Sequence, residues 1–138
     1  MKFGTKLEDL KDVYFKQVRS ILEFSVPVWN SNITKQEICD IERVQKRFLH
    51  IVLGEGYDNY QAALEKMNME TLENRRLKLC ETFAKKSAGN PKFKRWFKIG
   101  GPATRSNKTR YCVPEARTQR FMNSPIPYLI DRLNTQWI

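Results

Sequence analysis

Two stretches decide the fold of this chain, VRSILEFSVPVW (Val18–Trp29) and IERVQKRFLHIVLG (Ile41–Gly54). In the first, Val18, Ile21 and Leu22 continue an apolar series begun by Leu7, Leu10 and Tyr14. Steps of three and four residues place such side chains on one stripe of a helix, expected from about Lys6 to Phe24 or beyond. Pro27 disfavours helical geometry at Val26, so the helix is expected to end or kink there, with Trp29 folding back as an anchor. The second stretch has a defined start. Thr34 and Glu37 form a T-x-x-E capping box, in which hydroxyl and carboxylate satisfy amides that the first turn leaves open. Ile38, Ile41, Val44, Phe48, Leu49 and Val52 then share one face, and Gly54 supplies the stop. Arg43, Lys46, Arg47 and His50 recur at the same spacing on another side. Glu42 precedes Lys46 by four residues, so part of this charge is available for pairing within the helix.

Working outward, the Gly54–Gly56 break precedes a shorter helix with Tyr60, Ala63, Leu64 and Met67 inward. Thr71 is placed to cap a fourth helix carrying Leu72, Leu79 and Phe83, with Lys85 and Lys86 favouring the negative pole at its end. Gly89, Asn90 and Pro91 close it. A short amphipathic piece, Phe93 to Phe97, leads into Gly100–Pro102, and Thr104 to Arg110 reads as extended or loose. Pro114, Pro125 and Pro127 argue against continuous helix before about Tyr128. The expected fold class is all-α: a small bundle of about four helices over residues 1–90, then a basic, Pro-containing irregular tail over 91–138 ending in a short helix.

The 138 residues suit one domain of ordinary size, and 41% hydrophobic with 29% charged residues fits a folded chain better than a disordered one. No apolar run approaches the ~20 residues that span a bilayer, and Met1 to Gly4 turns polar without a signal-peptide core. No membrane association is expected. Cys39, Cys80 and Cys112 are an odd, scattered set, which reads as reduced thiols inside the cell, in cytoplasm or nucleus. With His50 as the one histidine, a Cys/His metal site is not expected, and Cys39 and Cys80 read as small helix residues.

The net charge of +10 is uneven: residues 1–53 carry +2, residues 54–90 are neutral, and residues 91–138 carry +8. The C-terminal excess is interleaved with Phe93, Trp96, Phe97, Tyr111 and Phe121, a pattern suited to a polyanion with stackable bases. The other reading of the same pattern has the aromatics packing inward while the lysines solvate the tail. Trp96 and Phe97, adjacent in an amphipathic segment, read better as lids over the core than as stacking residues. Arg75 and Arg76 read as partners of nearby glutamates, and Arg19 either pairs with Glu23 or reaches outward.

No catalytic constellation emerges. Glu8, Asp9 and Asp12 are the densest carboxylates, but they belong to one exposed helical face, whereas two-metal catalysis needs carboxylates converging from separate elements. One histidine does not build a Ser/His/Asp or Cys/His set, and Gly-rich phosphate loops are missing. No cofactor is implied, and the chain by itself is not expected to be an enzyme.

A resemblance spans most of the sequence. Phe3-Gly4, DVYFKQVRSILEFSVPVW (Asp12–Trp29), DIERVQKRFLHIVLG (Asp40–Gly54), Tyr57, YQAALEKMNMETLENRRLKLCETFAKK (Tyr60–Lys86) and RTQRFMNSPIPYLIDRLN (Arg117–Asn134) follow one another as a series. The series resembles the C-terminal, post-palm region of reverse transcriptases of jockey-like non-LTR retrotransposons. No short motif in it is diagnostic; the ordered series carries the likeness. The resemblance implies a thumb-like helical region that grips template–primer, without the aromatic-x-Asp-Asp turn of the palm. It implies partners of RNA, DNA or an RNA/DNA hybrid, held without base preference through phosphates. Carried onto this sequence, the contact residues are Arg43, Lys46 and Arg47 in the helical part. Separately from that transfer, the charge of the tail itself offers Lys94, Arg95, Lys98, Arg105, Lys108, Arg110, Arg117 and Arg120, with Lys92 beside them, as candidate contacts. The alternative is a helical interaction module whose apolar first helix docks on a polymerase palm or another partner, or self-associates, with no nucleic-acid role.

Overall fold

The structure is a computed structural model that describes residues 6–100 and 111–135. It is all-α. The helices are α1 (Leu7–Val13), continued by a π-helical segment (Tyr14–Arg19) and α2 (Ser20–Leu22), then α3 (Val26–Trp29) and α4 (Lys35–Leu53). After these come α5 (Tyr60–Met67), α6 (Leu72–Ala88), α7 (Gln119–Met122) and α8 (Pro125–Thr135), with 3-10 turns at Gly54–Gly56 and Pro91–Phe93. Among the described residues the extended pairing is a single antiparallel bridge, Ile99 to Tyr111.

Two compact units interleave along the sequence, where composition had suggested a division at residue 90. The first comprises Met1–Ser25 and Ile33–Arg76, the second Val26–Asn32 and Leu77–Ile138. α6 lends its opening residues to the first unit and the remainder to the second.

The first unit is built around α4. Its capping box forms as the sequence requires: the Glu37 N–H donates to Thr34 Oγ1 at 3.3 Å, and the Thr34 N–H donates to Glu37 Oε2 at 2.7 Å. Gly54 ends the helix at φ +52°, a conformation that costs glycine little and other residues more. Leu49 and Val52 pack with Ala63, Leu64 and Met67 of α5 into one core, with Leu10, Phe48 and Tyr60 around it. Inside it lies a polar bridge that apolar periodicity does not reveal. The Tyr14 hydroxyl donates to Gln45 Oε1 at 2.8 Å, and Gln45 Nε2 donates to the Tyr60 hydroxyl at 3.1 Å and to the Glu70 carbonyl at 2.8 Å. Tyr60 in turn donates to Glu42, which also accepts the Leu72 N–H at 3.1 Å. Glu42 thus serves α5 and the start of α6, and Lys46, expected as its intrahelical partner, lies 5.0 Å from the centre of the Tyr60 ring.

The π segment changes which face of the first helix is inside. Tyr14 stacks on Phe48 with ring centres 4.0 Å apart. In an uninterrupted α-helix Ile21 would follow Tyr14 by about two turns and share its face. Wider π turns put it out of phase, and Ile21 is 74% exposed. Arg19 and Glu23 turn inward instead. Glu23 receives both Arg75 Nε and Arg75 Nη2, the latter at 3.0 Å, and Arg19 lies 3.7 Å from the same carboxylate and over the Phe15 ring at 4.0 Å. Arg19 therefore pairs rather than reaching outward, and Arg75 has a glutamate distant in sequence.

In the second unit, Val26, Cys80, Ala84, Phe97, Leu129, Ile130 and Leu133 form the core, with Trp29 packed against it. The first helix does not run on to Pro27: α2 stops at Leu22, and Ser25 turns the chain at φ +52°. Pro27 lies in the first turn of α3, where a missing N–H costs nothing, so it opens a helix instead of ending one. α8 repeats this logic. Helix is interrupted before this point, as expected, but α8 starts three residues earlier than Tyr128, because Pro125 and Pro127 both sit in a first turn and the Tyr128 amide makes the first helical bond, to the Ser124 carbonyl at 3.3 Å. The tail is consequently a packed part of this unit. Asn134 secures it further, accepting the Tyr111 N–H at 3.0 Å and donating to the Tyr111 carbonyl at 2.9 Å. Arg132 of α8 pairs with Glu81 of α6 at 2.8 Å.

Candidate nucleic-acid interface

Every expected contact residue within the described part of the chain is exposed, but the residues differ in what already occupies their charge. On α4, Arg43 pairs with Asp40 at 2.8 Å, one turn back on the same helix. Lys46 lies against Tyr60. Arg47 is exposed. These three share a helix because α4 is long and regular, yet one of them is neutralised locally. An exposed pair of this kind is held weakly, at ~0.2–1 kcal/mol, so a phosphate competes for it at modest cost.

The second set lies on the turn after α6. Asn90 caps it, its Oδ1 accepting the Lys92 N–H at 3.0 Å, and Pro91 occupies the position where its fixed φ is favoured. Lys92, Lys94, Arg95 and Lys98 project from this turn and are all exposed. Among the described residues none of the four is paired with a carboxylate. The two neighbouring aromatics part company. Phe97 is 5% exposed and belongs to the core, the lid role expected of it. Trp96 is 37% exposed, stacks on Phe93 with centres 5.5 Å apart, and carries the Arg95 guanidinium 4.6 Å from its ring centre. Trp96 is thus a surface platform with a cation beside it, a different position from the lid the sequence suggested.

Arg117 and Arg120 are exposed at and just before α7. Arg105, Lys108 and Arg110 lie outside the described residues. Lys94 and Lys98 are brought together on one recess, whose lining also includes Asn90, Phe97, Ile99 and Tyr111. The α4 residues belong to the first unit and the 92–98 and 117–120 residues to the second. Asn90 and Tyr111 line the same recess although far apart in the chain, a juxtaposition that residue spacing does not display.

Among the described residues, no three His, Cys, Asp or Glu side chains are grouped to hold a metal ion, and no helix is long and apolar enough to cross a membrane. Cys80 is buried in the second core, while Cys39 and Cys112 are exposed. The chain matches no protein-family model, no curated protein and no solved structure.

Proposed function

We propose that this chain is a non-catalytic piece of a retrotransposon-derived reverse transcriptase that binds RNA, DNA or their hybrid through the phosphate backbone. The observation that carries the reading is the turn at residues 92–98, where four exposed cations, none paired with a carboxylate among the described residues, share a short segment with an exposed Trp96 that carries Arg95 over its ring. Free cations release counterions when they meet phosphates, and an aromatic face stacks on any base, so the combination suits binding without sequence preference. The ordered resemblance to the post-palm region points to the same chemistry. On this reading the 92–98 turn of the second unit holds the backbone, and Arg43, Lys46 and Arg47 are a separate set of contacts on the first unit.

Fluorescence anisotropy with a labelled RNA/DNA hybrid tests it, at two salt concentrations of about 50 and 200 mM. Alanine at Lys92, Lys94, Arg95 and Lys98 together is expected to flatten the log–log salt dependence by up to ~3–4 units, since each phosphate contact contributes about 0.9. Alanine at Arg43, Lys46 and Arg47 is expected to do less. Point variants are the proper tool, because deleting residues 91–138 would also remove Phe97, Leu129, Ile130 and Leu133 from a core. Absence of salt-sensitive binding by the intact chain would overturn the proposal.

A second reading has its own support. Val13 and Ile21 are exposed on the first helical stretch and Phe24 in the turn that follows it, Ile21 and Phe24 at about three quarters of their surface. This favours a helical interaction module that docks on a palm or a second copy. A chain that ignores nucleic acid but sediments as a dimer, reverting to monomer in Ile21→Ser, would establish it instead.

A further inference from the structure

We propose that the recess between the end of α6 and the Ile99–Tyr111 bridge receives one unpaired base of a bound strand, with Lys94 and Lys98 on its flanking phosphates. The inference rests on the nucleic-acid-binding reading above and adds to it a site for a particular structural feature of the ligand. The recess has a volume of about 660 Å³, within the ~300–1,000 Å³ typical of small-molecule sites. Its chemistry is divided in the way a nucleotide is divided. Ala88, Pro91, Phe97, Ile99 and Tyr111 supply apolar and aromatic surface, and Lys94 and Lys98 supply positive charge at the same opening.

Three details make this more than a charged hollow. Tyr111 is fixed from behind, its backbone bonded both ways by Asn134 and its ring set edge-on to Phe97 at 6.2 Å, so it is a rigid wall and not a mobile surface residue. Asn90, which lines the recess, is held in place by its Oδ1 accepting the Lys92 N–H, so this wall too is fixed by the turn. Finally, the recess adjoins the same turn that carries Trp96 and Arg95, so a strand tracked by the exposed cations passes its mouth. A duplex keeps its bases stacked inside and has nothing to insert. An overhang, a frayed end or a single strand does.

The test uses the intact chain and an RNA/DNA hybrid in three forms: blunt, with a single thymidine overhang, and with an abasic overhang of equal length. Binding to the thymidine overhang is expected to be ~10-fold tighter than to the abasic one, the scale of one base–aromatic contact. Thymidine monophosphate is expected to erase that difference without displacing the blunt hybrid. With 5-iodouracil as the overhang base, ultraviolet crosslinking is expected to mark Tyr111, and Lys94→Ala with Lys98→Ala to diminish the crosslink. Equal affinity for thymidine and abasic overhangs, or a crosslink on Trp96 instead, would overturn this inference while leaving the binding function intact. Failure to bind all three hybrids would instead overturn the proposed function, and this inference with it.

Discussion

Gln45 is the residue whose replacement most directly tests how the first unit is held. Its side chain is fully buried and makes three hydrogen bonds, accepting from Tyr14 and donating to Tyr60 and to the Glu70 carbonyl. In Gln45→Ala the Tyr60 hydroxyl keeps Glu42 and Glu70 is an exposed residue, but the buried Tyr14 hydroxyl loses its bond to Gln45. A polar group left without a partner in the interior costs ~1–3 kcal/mol, so the Tyr14 hydroxyl alone gives ~2 kcal/mol before the lost packing is added. With a urea dependence of ~1–2 kcal/mol/M for a unit of this size, the midpoint is expected to fall by at least ~1–2 M. Urea unfolding followed by circular dichroism measures it. Gln45→Leu restores most of the volume and none of the bonds, so it is expected to remain ~2 kcal/mol below the parent. Adding Tyr14→Phe to Gln45→Leu removes one orphaned hydroxyl and is expected to recover part of that loss. A Gln45→Ala penalty below ~1 kcal/mol, or strict additivity of Gln45→Leu and Tyr14→Phe, would refute the reasoning.

Other consequences concern titration and backbone. Burial holds the Tyr14 and Tyr60 hydroxyls above the ordinary tyrosine range, with Glu42 adding to the effect at Tyr60. Their folded pKa values exceed the unfolded one, so the stability they confer is complete below about pH 10 and is lost as pH rises further. Alkaline unfolding should be shallower in Tyr14→Phe. Glu37 has the opposite sign: the Thr34 backbone and hydroxyl hold its carboxylate below the ordinary value of 4.5. The capping contribution is therefore present above that value and lost as pH falls through the lowered one, and the melting-temperature gap between parent and Glu37→Gln should close in acid. Gly54→Ala should destabilise by ~1 kcal/mol because of the positive φ, while Gly56→Ala, where nothing lies within 4 Å and φ is ordinary, should be near neutral in the same melts.

Local chemistry was readable wherever it acts over a few residues. The α4 capping box, its stop at Gly54 and the Thr71 cap rest on contacts within one turn, and the inward set Ala63, Leu64 and Met67 shows as helical spacing, both of which a sequence displays directly. The candidate contact residues were equally legible as cations, since charge is a property of composition. Their availability was not. Whether a lysine or arginine is free depends on whether a carboxylate reaches it, and Glu23 to Arg75 or Arg132 to Glu81 are pairs that only folding creates.

An all-α chain with a capped, basic-sided central helix and a cationic, aromatic C-terminal third is legible from the order of residues, because helical periodicity and charge are written residue by residue. Only the tertiary structure decided that this third is packed into a unit with Val26 and Trp29, that the π segment turns Ile21 outward, and that Trp96 and Phe97 lie on opposite sides of the surface. Each depends on the phase of a helix or on partners far apart in the chain. A side chain's neighbours across such distances are set by packing, and packing is a property of the whole fold.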